Sequence, residues 1–341
     1  MLVPLQNIRT WRPIVDALDQ RASPRVVERA LLSTGLSRRT IEGPPTFIPC
    51  ALQAAFVENV ARRIGEPHLG ALTASQYAYA DLGIYASYVL DASRLDIALE
   101  RGVRALPFLQ SGASVNLLDA GENVVLQFGS GIQRVVGARQ IDEGTMALLI
   151  DLVRNFVGRD WRPEWVELTK PPRSGDDSLD KVYRAPTRNG SQLPGIAIRK
   201  DMLQTLNPRP REVTNAVLFS DLRTMVRCGP PSGMAELVRE TLVLVNDFGD
   251  FSEEAIALKL ELGRRTLQRR LSAEGSRFRD VVASFQAERA EALLRETDHS
   301  VQEISSFLGY REVNSFRRAF RNRTGMTPTQ YSAWIAAGKR T

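Results

Sequence analysis

Two short segments near the end of the chain repeat one helical pattern. Shifting GRRTLQRRL (263–271) by 49 positions lays it on EVNSFRRAF (312–320). At 100° per residue, Leu267 and Leu271 share one face of a helix, and so do Phe316 and Phe320. Arginine and amide side chains lie on the other side of each helix. The pattern therefore predicts two helices that each dock through one face and expose a polar one.

A shorter helical segment precedes each of these two helices. The first is SEEAIALKL (252–260) and the second is SVQEISSFL (300–308). A helix, a brief turn and a helix with an exposed polar face are typical of helix-turn-helix proteins. A guanidinium fork matches O6 and N7 of guanine, and an Asn or Gln amide matches N7 and N6 of adenine. Exposed arginines can also simply solvate a helix, but two helices in the same arrangement favour DNA recognition.

Length and composition restrict the classes of protein that remain. A chain of 341 residues predicts two domains, and its net charge of +6 suits a nucleic-acid partner without establishing one. No apolar run reaches the ~20 residues of a membrane span, and no secretory signal begins the chain, so we expect a cytoplasmic protein without a membrane partner. Cys50 and Cys228 are expected to be free thiols, and with His68 and His299 they form no metal-binding cluster.

The first two hundred residues mix helical and strand periodicity. Helices are predicted at 24–35, 51–65, 95–106 and 145–158, and strands at 113–120, 122–129, 164–170 and 195–199. Gly121 separates two alternating segments, which indicates a hairpin. The third predicted strand is expected to end at Pro171 and Pro172. The order of these segments predicts an α+β fold for this part of the chain.

Proline and glycine residues mark a boundary after this half. They are concentrated in LNPRPREV (206–213) and CGPPSG (228–233), and every later segment has helical periodicity. We therefore predict an α+β domain at 1–210, a linker at 211–233 and an all-α domain at 234–341.

About a hundred residues of the second half resemble the DNA-binding domain of the AraC/XylS family of bacterial transcription regulators. The resemblance rests on the segments LQRRL (267–271) and FRRAF (316–320), on Gly309 and Tyr310 in the turn, and on the run from Thr324 to Pro328. It implies two helix-turn-helix units joined by a long linker helix at about 277–296. That helix would hold two recognition helices about one DNA turn, ~34 Å, apart in successive major grooves.

The resemblance also implies which residues contact double-stranded DNA at a promoter or operator. The expected base-reading residues are Arg265, Gln268 and Arg269 in the first unit and Asn314, Ser315, Arg317 and Arg318 in the second. The expected phosphate contacts are Arg264, Ser276, Arg321 and Thr327. Phosphate contacts position a protein on DNA without reading its sequence.

Three positions depart from the family pattern in the turns. Glu261 stands where the family usually has a glycine, and Gly263 stands where it has a serine that caps the next helix. Glycine is a tolerable N-cap, so we expect the first recognition helix to form. Arg311 stands where a capping serine is common in the second unit, which adds a cation and removes a cap worth ~1 kcal/mol.

The first half resembles, more loosely, the arabinose-binding type of effector domain found in one branch of these regulators. The similar segments run from Gly65 to Arg104 and from Trp161 to Pro172. The resemblance implies that this domain binds a small-molecule effector and dimerises, and that RNA polymerase is a partner. The resemblance assigns no pocket residue: Arg101 and Arg104 are better explained as surface arginines, and Trp165 as a core tryptophan.

Sequence signatures of common enzymes are missing. FGSGIQR (128–134) lacks the third glycine of a dinucleotide site, and neither a phosphate-binding loop nor a G-x-S-x-G elbow occurs. IPCALQ (48–53) lacks the histidine of the repair methyltransferases that carry AraC-type domains. We therefore predict a regulator without a catalytic residue, metal or cofactor. Three alternatives stay open for the first half: a protein-interaction module, a membrane-fatty-acid sensor, or a cryptic enzyme tethered to DNA.

Overall fold

The structure is a computed structural model that describes residues 3–43, 46–169, 177–209, 217, 219, 222, 231–245, 250–296 and 299–338. The chain forms two compact units, residues 1–230 and residues 231–341. The first unit mixes helices with strands, and the second is helical throughout its described residues. Most of the predicted linker at 211–233, together with Pro171, Pro172 and Cys228, lies outside the described residues.

Helices are the predominant secondary structure in the described part of the first unit. Its described α-helices are α1 (Trp11–Arg21), α2 (Pro24–Ser33), α3 (Arg38–Glu42), α4 (Cys50–Ile64), α5 (Leu69–Ala74), α6 (Ile84–Leu90), α7 (Leu95–Leu109), α8 (Ala138–Val157) and α9 (Ser178–Tyr183). The predicted helices at 24–35, 51–65 and 95–106 are confirmed as α2, α4 and α7. In α7 the apolar period works as expected, because Leu95, Leu99 and Leu106 are all buried.

Two sheets accompany these helices. The smaller sheet has the order β2-β1-β3 and consists of β1 (Leu5–Asn7), β2 (Phe47–Pro49) and β3 (Gln110–Ser111). The larger has the order β4-β5-β8-β6-β7 and consists of β4 (Ser114–Ala120), β5 (Asn123–Gly129), β6 (Val166–Leu168), β7 (Thr187–Asn189) and β8 (Gly195–Arg199). The predicted hairpin is confirmed: β4 and β5 pair antiparallel, with Ala120 opposite Asn123 and Gly121 at φ +75° in the turn.

The main core lies between the larger sheet and helices α7 and α8. Alternate residues of β5 face this core, so Leu126 and Phe128 pack with Leu99 and Ile150. Val125 points to the opposite face of the sheet, where it packs with Trp165 and Ala197. The strand period of two thus separates the two faces of the sheet.

Two predictions for the first half are wrong in extent, and one small sheet was missed. Helix α8 begins at Ala138, seven residues before the predicted start at 145. The prediction missed these residues because the first turns of the helix bury polar rather than apolar side chains. The strand predicted at 164–170 is only Val166–Leu168. The smaller sheet was not predicted at all, since its strands are two or three residues long and offer no alternation to detect.

A buried hydrogen-bond network explains the polar start of α8. Glu143 of α8 and His68, which precedes α5, are 2% and 1% exposed, and His68 Nδ1 lies 3.0 Å from Glu143 Oε2. Arg139 donates to Glu143 Oε1 at 2.5 Å, and Gln140 Oε1 accepts from the amide of Gly70 at 2.7 Å. These paired groups let a polar helical turn pack tightly against α5, although its apolar periodicity is interrupted.

The second unit consists of helices over its described residues. They are α10 (Met234–Val245), α11 (Glu253–Lys259), α12 (Arg264–Ala273), α13 (Phe278–Glu296), α14 (Val301–Phe307), α15 (Val313–Thr324) and α16 (Pro328–Gly338). Helix α13 packs against α10 on one side and against α15 and α16 on the other. At 1.5 Å per residue its 19 residues span about 28 Å.

The structure also bears on the cysteine at position 50 and on membrane spans. Cys50 is a buried free cysteine, and burial raises the pKa of its thiol. Among the described helices, none is both long enough and apolar enough to cross a membrane.

Candidate functional site

Helices α12 and α15 each bury the apolar face that the sequence indicates. Leu267 and Leu271 are 0% and 1% exposed in α12, and Phe316 and Phe320 are both 1% exposed in α15. The two phenylalanine rings lie 5.8 Å apart, and Phe320 also packs edge-on against Tyr331 of α16. Burial of these pairs fixes the rotation of each helix about its axis, and so determines which side chains face outward.

The expected base-reading residues lie on the outward side of both helices. Those that the structure shows as exposed are Arg265, Gln268 and Arg269 on α12 and Asn314, Arg317 and Arg318 on α15, whereas Ser315 is half-buried. None of them belongs to the buried Leu or Phe pairs. The structure thus brings the expected residues together in two groups, each on one short helix.

Within α15 the polar side chains contact one another one turn apart. Arg317 Nη1 donates to Asn314 Oδ1 at 3.3 Å, and Arg318 Nη2 donates to Ser315 Oγ at 3.5 Å. Both interactions are at the long end of the hydrogen-bond range and are exposed to solvent, so they contribute little stability. They can be exchanged for contacts with a base edge at small cost.

Helix α12 has a different set of partners, which sequence reasoning missed. Glu253 Oε2 of α11 accepts from Gln268 Nε2 at 3.1 Å and from Arg264 Nη2 at 3.5 Å. Arg264 also forms an ion pair with Glu254 at 2.5 Å. Glu253 thus occupies one of the two N–H groups of the Gln268 amide. The acidic pair in SEEAIALKL is the sequence signal for these contacts.

The expected phosphate-contacting residues occupy helix ends and exposed faces. Arg264 and Arg321 are exposed, and Ser276 is half-buried just before α13. Thr327 precedes α16 and caps it, because its Oγ1 accepts from the amide of Gln330 at 3.3 Å. In return Gln330 Oε1 accepts from the amide of Thr327 at 2.9 Å. Thr327 thus has a structural role at the start of a helix.

The two turns share a left-handed residue but differ in length and in the residue that caps the following helix. Glu261 adopts φ +53°, a left-handed conformation that glycine tolerates best, and Gly309 has φ +76° in the corresponding place. Gly263 is the N-cap of α12, as the sequence indicates. In the second turn the N-cap is Glu312, and its side chain makes no capping hydrogen bond. The prediction that Arg311 holds the capping position is therefore wrong, because this turn is one residue longer than the first.

Helix α13 holds the second turn directly. Gln286 Nε2 donates to the carbonyl of Leu308 at 2.8 Å, and the Tyr310 hydroxyl donates to Gln286 Oε1 at 2.9 Å. Helix α13 is also joined to α10, because Arg239 of α10 forms an ion pair with Glu288 of α13. Helix α13 thus contacts the second turn directly and packs against α10, which in turn packs against α11 and α12.

The first unit contains a cavity of about 130 Å³ between the larger sheet and helices α5, α7 and α8. Trp165, Arg101 and Arg104 do not line it. Trp165 packs on the opposite face of the sheet, and Arg101 donates to the carbonyl of Tyr88 at 3.0 Å. Sequence reasoning missed the cavity because its lining reads as ordinary core. The available signal was the presence of Thr73 and several glutamines among apolar residues.

Comparisons with protein-family models support the reading of these two units. Residues 256–333 match a model described as a helix-turn-helix domain, so the second unit is that of a DNA-binding protein. Residues 26–206 match the model described as the N-terminal arabinose-binding domain of AraC transcription regulator, which covers more than half of the chain. The chain belongs to the AraC family of transcription regulators, as its sequence motifs indicate.

Individual proteins are similar to this chain over different lengths. The ornithine utilization regulator of Pseudomonas aeruginosa is 25% identical over 276 residues, which are 78% of this chain and 79% of that protein. An uncharacterized HTH-type transcriptional regulator of Mycobacterium bovis is 38% identical over 101 residues, but the match spans only 29% of each chain. Among solved structures, the transcriptional regulator CdpR from Pseudomonas aeruginosa covers 95% of this chain and 98% of its own, at 21% identity and a TM-score of 0.40.

Proposed function

We propose that this AraC-family regulator reads an asymmetric DNA site through two helix-turn-helix units and that a small-molecule effector controls it. Helices α11 and α12 form the first unit, and α14 and α15 form the second. Helix α13 is the linker helix that holds α12 and α15 in successive major grooves. The observation that carries the proposal is the repeated pattern of a buried apolar pair opposite exposed Arg, Gln and Asn side chains.

Each group of polar residues has a chemical role in this proposal. Arg265 and Arg269 of α12, and Arg317 and Arg318 of α15, present guanidinium forks to guanine, and Gln268 and Asn314 present amides to adenine. Ser315 supports Arg318, and Arg264, Ser276, Arg321 and Thr327 contact phosphates. Among the described residues, Arg317 and Arg318 have only Asn314 and Ser315 as polar partners, whereas Gln268 and Arg264 are also held by Glu253 of α11, so we expect the second unit to dominate readout.

The first unit supplies control and dimerisation in this proposal. Residues 1–210 bind the effector and pair with a second copy, and the linker at 211–233 transmits the change. Strand β4 is an edge strand of the larger sheet, and its Leu117 and Leu118 are 51% and 46% exposed, which suits pairing with another chain. Effector binding then shifts the relative arrangement of the two units and favours contact with RNA polymerase or a different pair of DNA sites.

Selection of bound fragments from the source genome tests DNA readout. We expect the full-length protein to enrich a motif with two half-elements about 10 base pairs apart. The Arg317→Ala/Arg318→Ala double variant should lose that motif, because each bidentate contact discriminates by roughly 1–3 kcal/mol. For two contacts, roughly 2–6 kcal/mol corresponds to a loss of about 30-fold to more than 10⁴-fold in specific affinity.

A matched control separates readout from net charge. Arg25 and Arg29 of α2 are also exposed, so the Arg25→Ala/Arg29→Ala variant loses the same charge in the first unit. We expect it to enrich the same motif as the unchanged protein. Full retention of the motif by the Arg317→Ala/Arg318→Ala variant, with a normal circular dichroism spectrum, would refute the assignment of α15 as a recognition helix.

A further inference from the structure

The cavity of the first unit is the right size for a small organic molecule. Its volume of about 130 Å³ is close to the ~150 Å³ of an engineered apolar cavity that binds benzene. Leu99 and Leu106 of α7, Leu148 and Leu152 of α8, and Leu126 and Phe128 of β5 are among its lining residues. Val103 also lines the cavity and is 46% exposed, so the cavity reaches the surface beside α7.

No charged side chain lines this cavity within the part of the chain that the structure describes. Its polar lining residues are threonines, tyrosines and glutamines. The buried tyrosines remain neutral, because burial raises the pKa of Tyr85 to about 12 and its hydroxyl donates to the carbonyl of Gly102 at 3.2 Å. An ion that entered this site would lose its hydration without gaining a countercharge. The lining therefore selects against carboxylates, ammonium groups and zwitterions.

Two buried polar atoms on residues that line the cavity have no hydrogen-bond partner among the described residues. They are Thr73 Oγ1, on a residue that is 3% exposed, and Gln6 Oε1. The rest of the Gln6 amide is in use, because its Nε2 donates to Thr10 Oγ1 at 2.9 Å. Other amides of the lining are also paired: Gln140 accepts from the amide of Gly70, and Gln110 donates to the carbonyl of Ser130. A buried polar atom without a partner is costly, so these two atoms call for a hydrogen-bonding ligand.

We propose that this cavity binds an uncharged, mainly apolar molecule of about the size of a monosubstituted benzene, with one hydroxyl or amide group. That group donates to Gln6 Oε1 or exchanges a hydrogen bond with Thr73 Oγ1, while the apolar body packs against the leucines of α7 and α8. The proposal rests on the proposed effector control and names the chemical class of the effector. It requires no movement of a charged residue into the site.

Four probes of nearly equal size test the polarity of the site: benzyl alcohol, toluene, benzoate and benzylammonium. Their binding to the full-length protein is measured by calorimetry and by saturation-transfer NMR at neutral pH. We expect benzyl alcohol to bind and both ions to bind at least tenfold more weakly. Equal binding of either ion, or no binding of benzyl alcohol and toluene, would overturn the proposal.

Two variants and a control locate the site. Thr73→Val keeps the shape and removes the hydroxyl, so affinity for benzyl alcohol should fall by roughly three- to tenfold while affinity for toluene stays the same. Ala74→Leu fills the cavity and should abolish binding of both probes, whereas Val136→Ala, at a surface position that is 63% exposed, should change neither. Unchanged binding by a folded Ala74→Leu variant, or an equal effect of Thr73→Val on both probes, would place the ligand elsewhere and overturn the proposal.

DNA binding measured on the same samples separates the two proposals. If the protein binds its selected motif but none of the probes, the cavity chemistry is wrong and the DNA-binding function stands. If benzyl alcohol binds in a Thr73-dependent way without changing affinity for the motif, the cavity chemistry is supported and effector control through this site is refuted.

Discussion

The backbone of the two turns yields a quantitative prediction from one pair of substitutions. Gly309 has φ +76° and Glu261 has φ +53°, so both residues occupy the left-handed region. A residue with a Cβ atom pays roughly 1–2 kcal/mol in this region, and glycine does not. Gly309→Ala should therefore destabilise helices α14 and α15, which flank this turn, by about 1–2 kcal/mol. Glu261→Ala exchanges one residue with a Cβ atom for another, so helices α11 and α12 should keep their stability.

The reverse substitution predicts the opposite sign. Glu261→Gly should relieve roughly 1–2 kcal/mol of backbone strain and lose about 0.4–1 kcal/mol through the greater freedom of the unfolded chain. We expect a net gain of roughly 0.5–1 kcal/mol for α11 and α12. A glycine at this position also restores the residue usual in the family, so any change in the angle of α12 should appear as a change in affinity for the selected motif.

Hydrogen exchange followed by mass spectrometry measures these local free energies in the full-length protein. Since 1.4 kcal/mol is tenfold, Gly309→Ala should speed exchange of the protected amides of α14 and α15 by roughly 5- to 30-fold. Glu261→Gly should slow exchange in α11 and α12 by roughly two- to fivefold. Peptides from β5 serve as the internal control, because they belong to the first unit. Equal effects of alanine at Gly309 and Glu261 would refute the assignment of strain to the backbone.

Two further predictions concern charged groups. Glu143→Ala removes the buried carboxylate that accepts from Arg139 and lies 3.0 Å from His68 Nδ1, so we expect a loss of about 1–3 kcal/mol in thermal unfolding. Asp201→Ala breaks an ion pair whose partners are both more than half exposed, and it should have no measurable effect. Ser300 donates its backbone N–H to the carboxylate of Glu303 at 2.7 Å, which lowers the pKa of Glu303. The stabilisation from Glu303 is therefore present above the ordinary glutamate pKa and disappears as the pH falls through the lowered value. The stability difference between the unchanged protein and Glu303→Gln should shrink in melts from about pH 6 to about pH 3, and a pH-independent difference would contradict it.

Local periodicity was sufficient for the helices of the candidate DNA interface. Leu267, Leu271, Phe316 and Phe320 are spaced by one helical turn, so their burial and the exposure of the arginines opposite them follow from the sequence alone. Gly121 marked the hairpin for a similar reason, since two alternating segments and a glycine define a local structure. In both cases all the interacting residues lie close together in the chain.

The start of α8 shows where periodicity fails. Gln140, Asp142 and Glu143 are polar, yet each is at most 4% exposed, because partners elsewhere in the chain satisfy them. His68 is 75 residues from Glu143 and Gly70 is 70 residues from Gln140. A helix that buries polar groups against distant partners has no amphipathic signal of its own. The true N-cap of α15, Glu312, was likewise missed, because the length of a turn depends on how the flanking helices pack.

The sequence by itself thus determined the family, the α+β and all-α halves, and the outward side of helices α12 and α15, because these depend on motifs and on contacts within one helical turn. Only the tertiary structure decided the small sheet of β1, β2 and β3, whose strands lie near residues 5, 48 and 110. It alone also decided the cavity, whose lining combines Gln6 and Thr73 with leucines from α7 and α8. A void and its unpaired polar atoms arise from the way distant segments fit together, and no single segment carries that information.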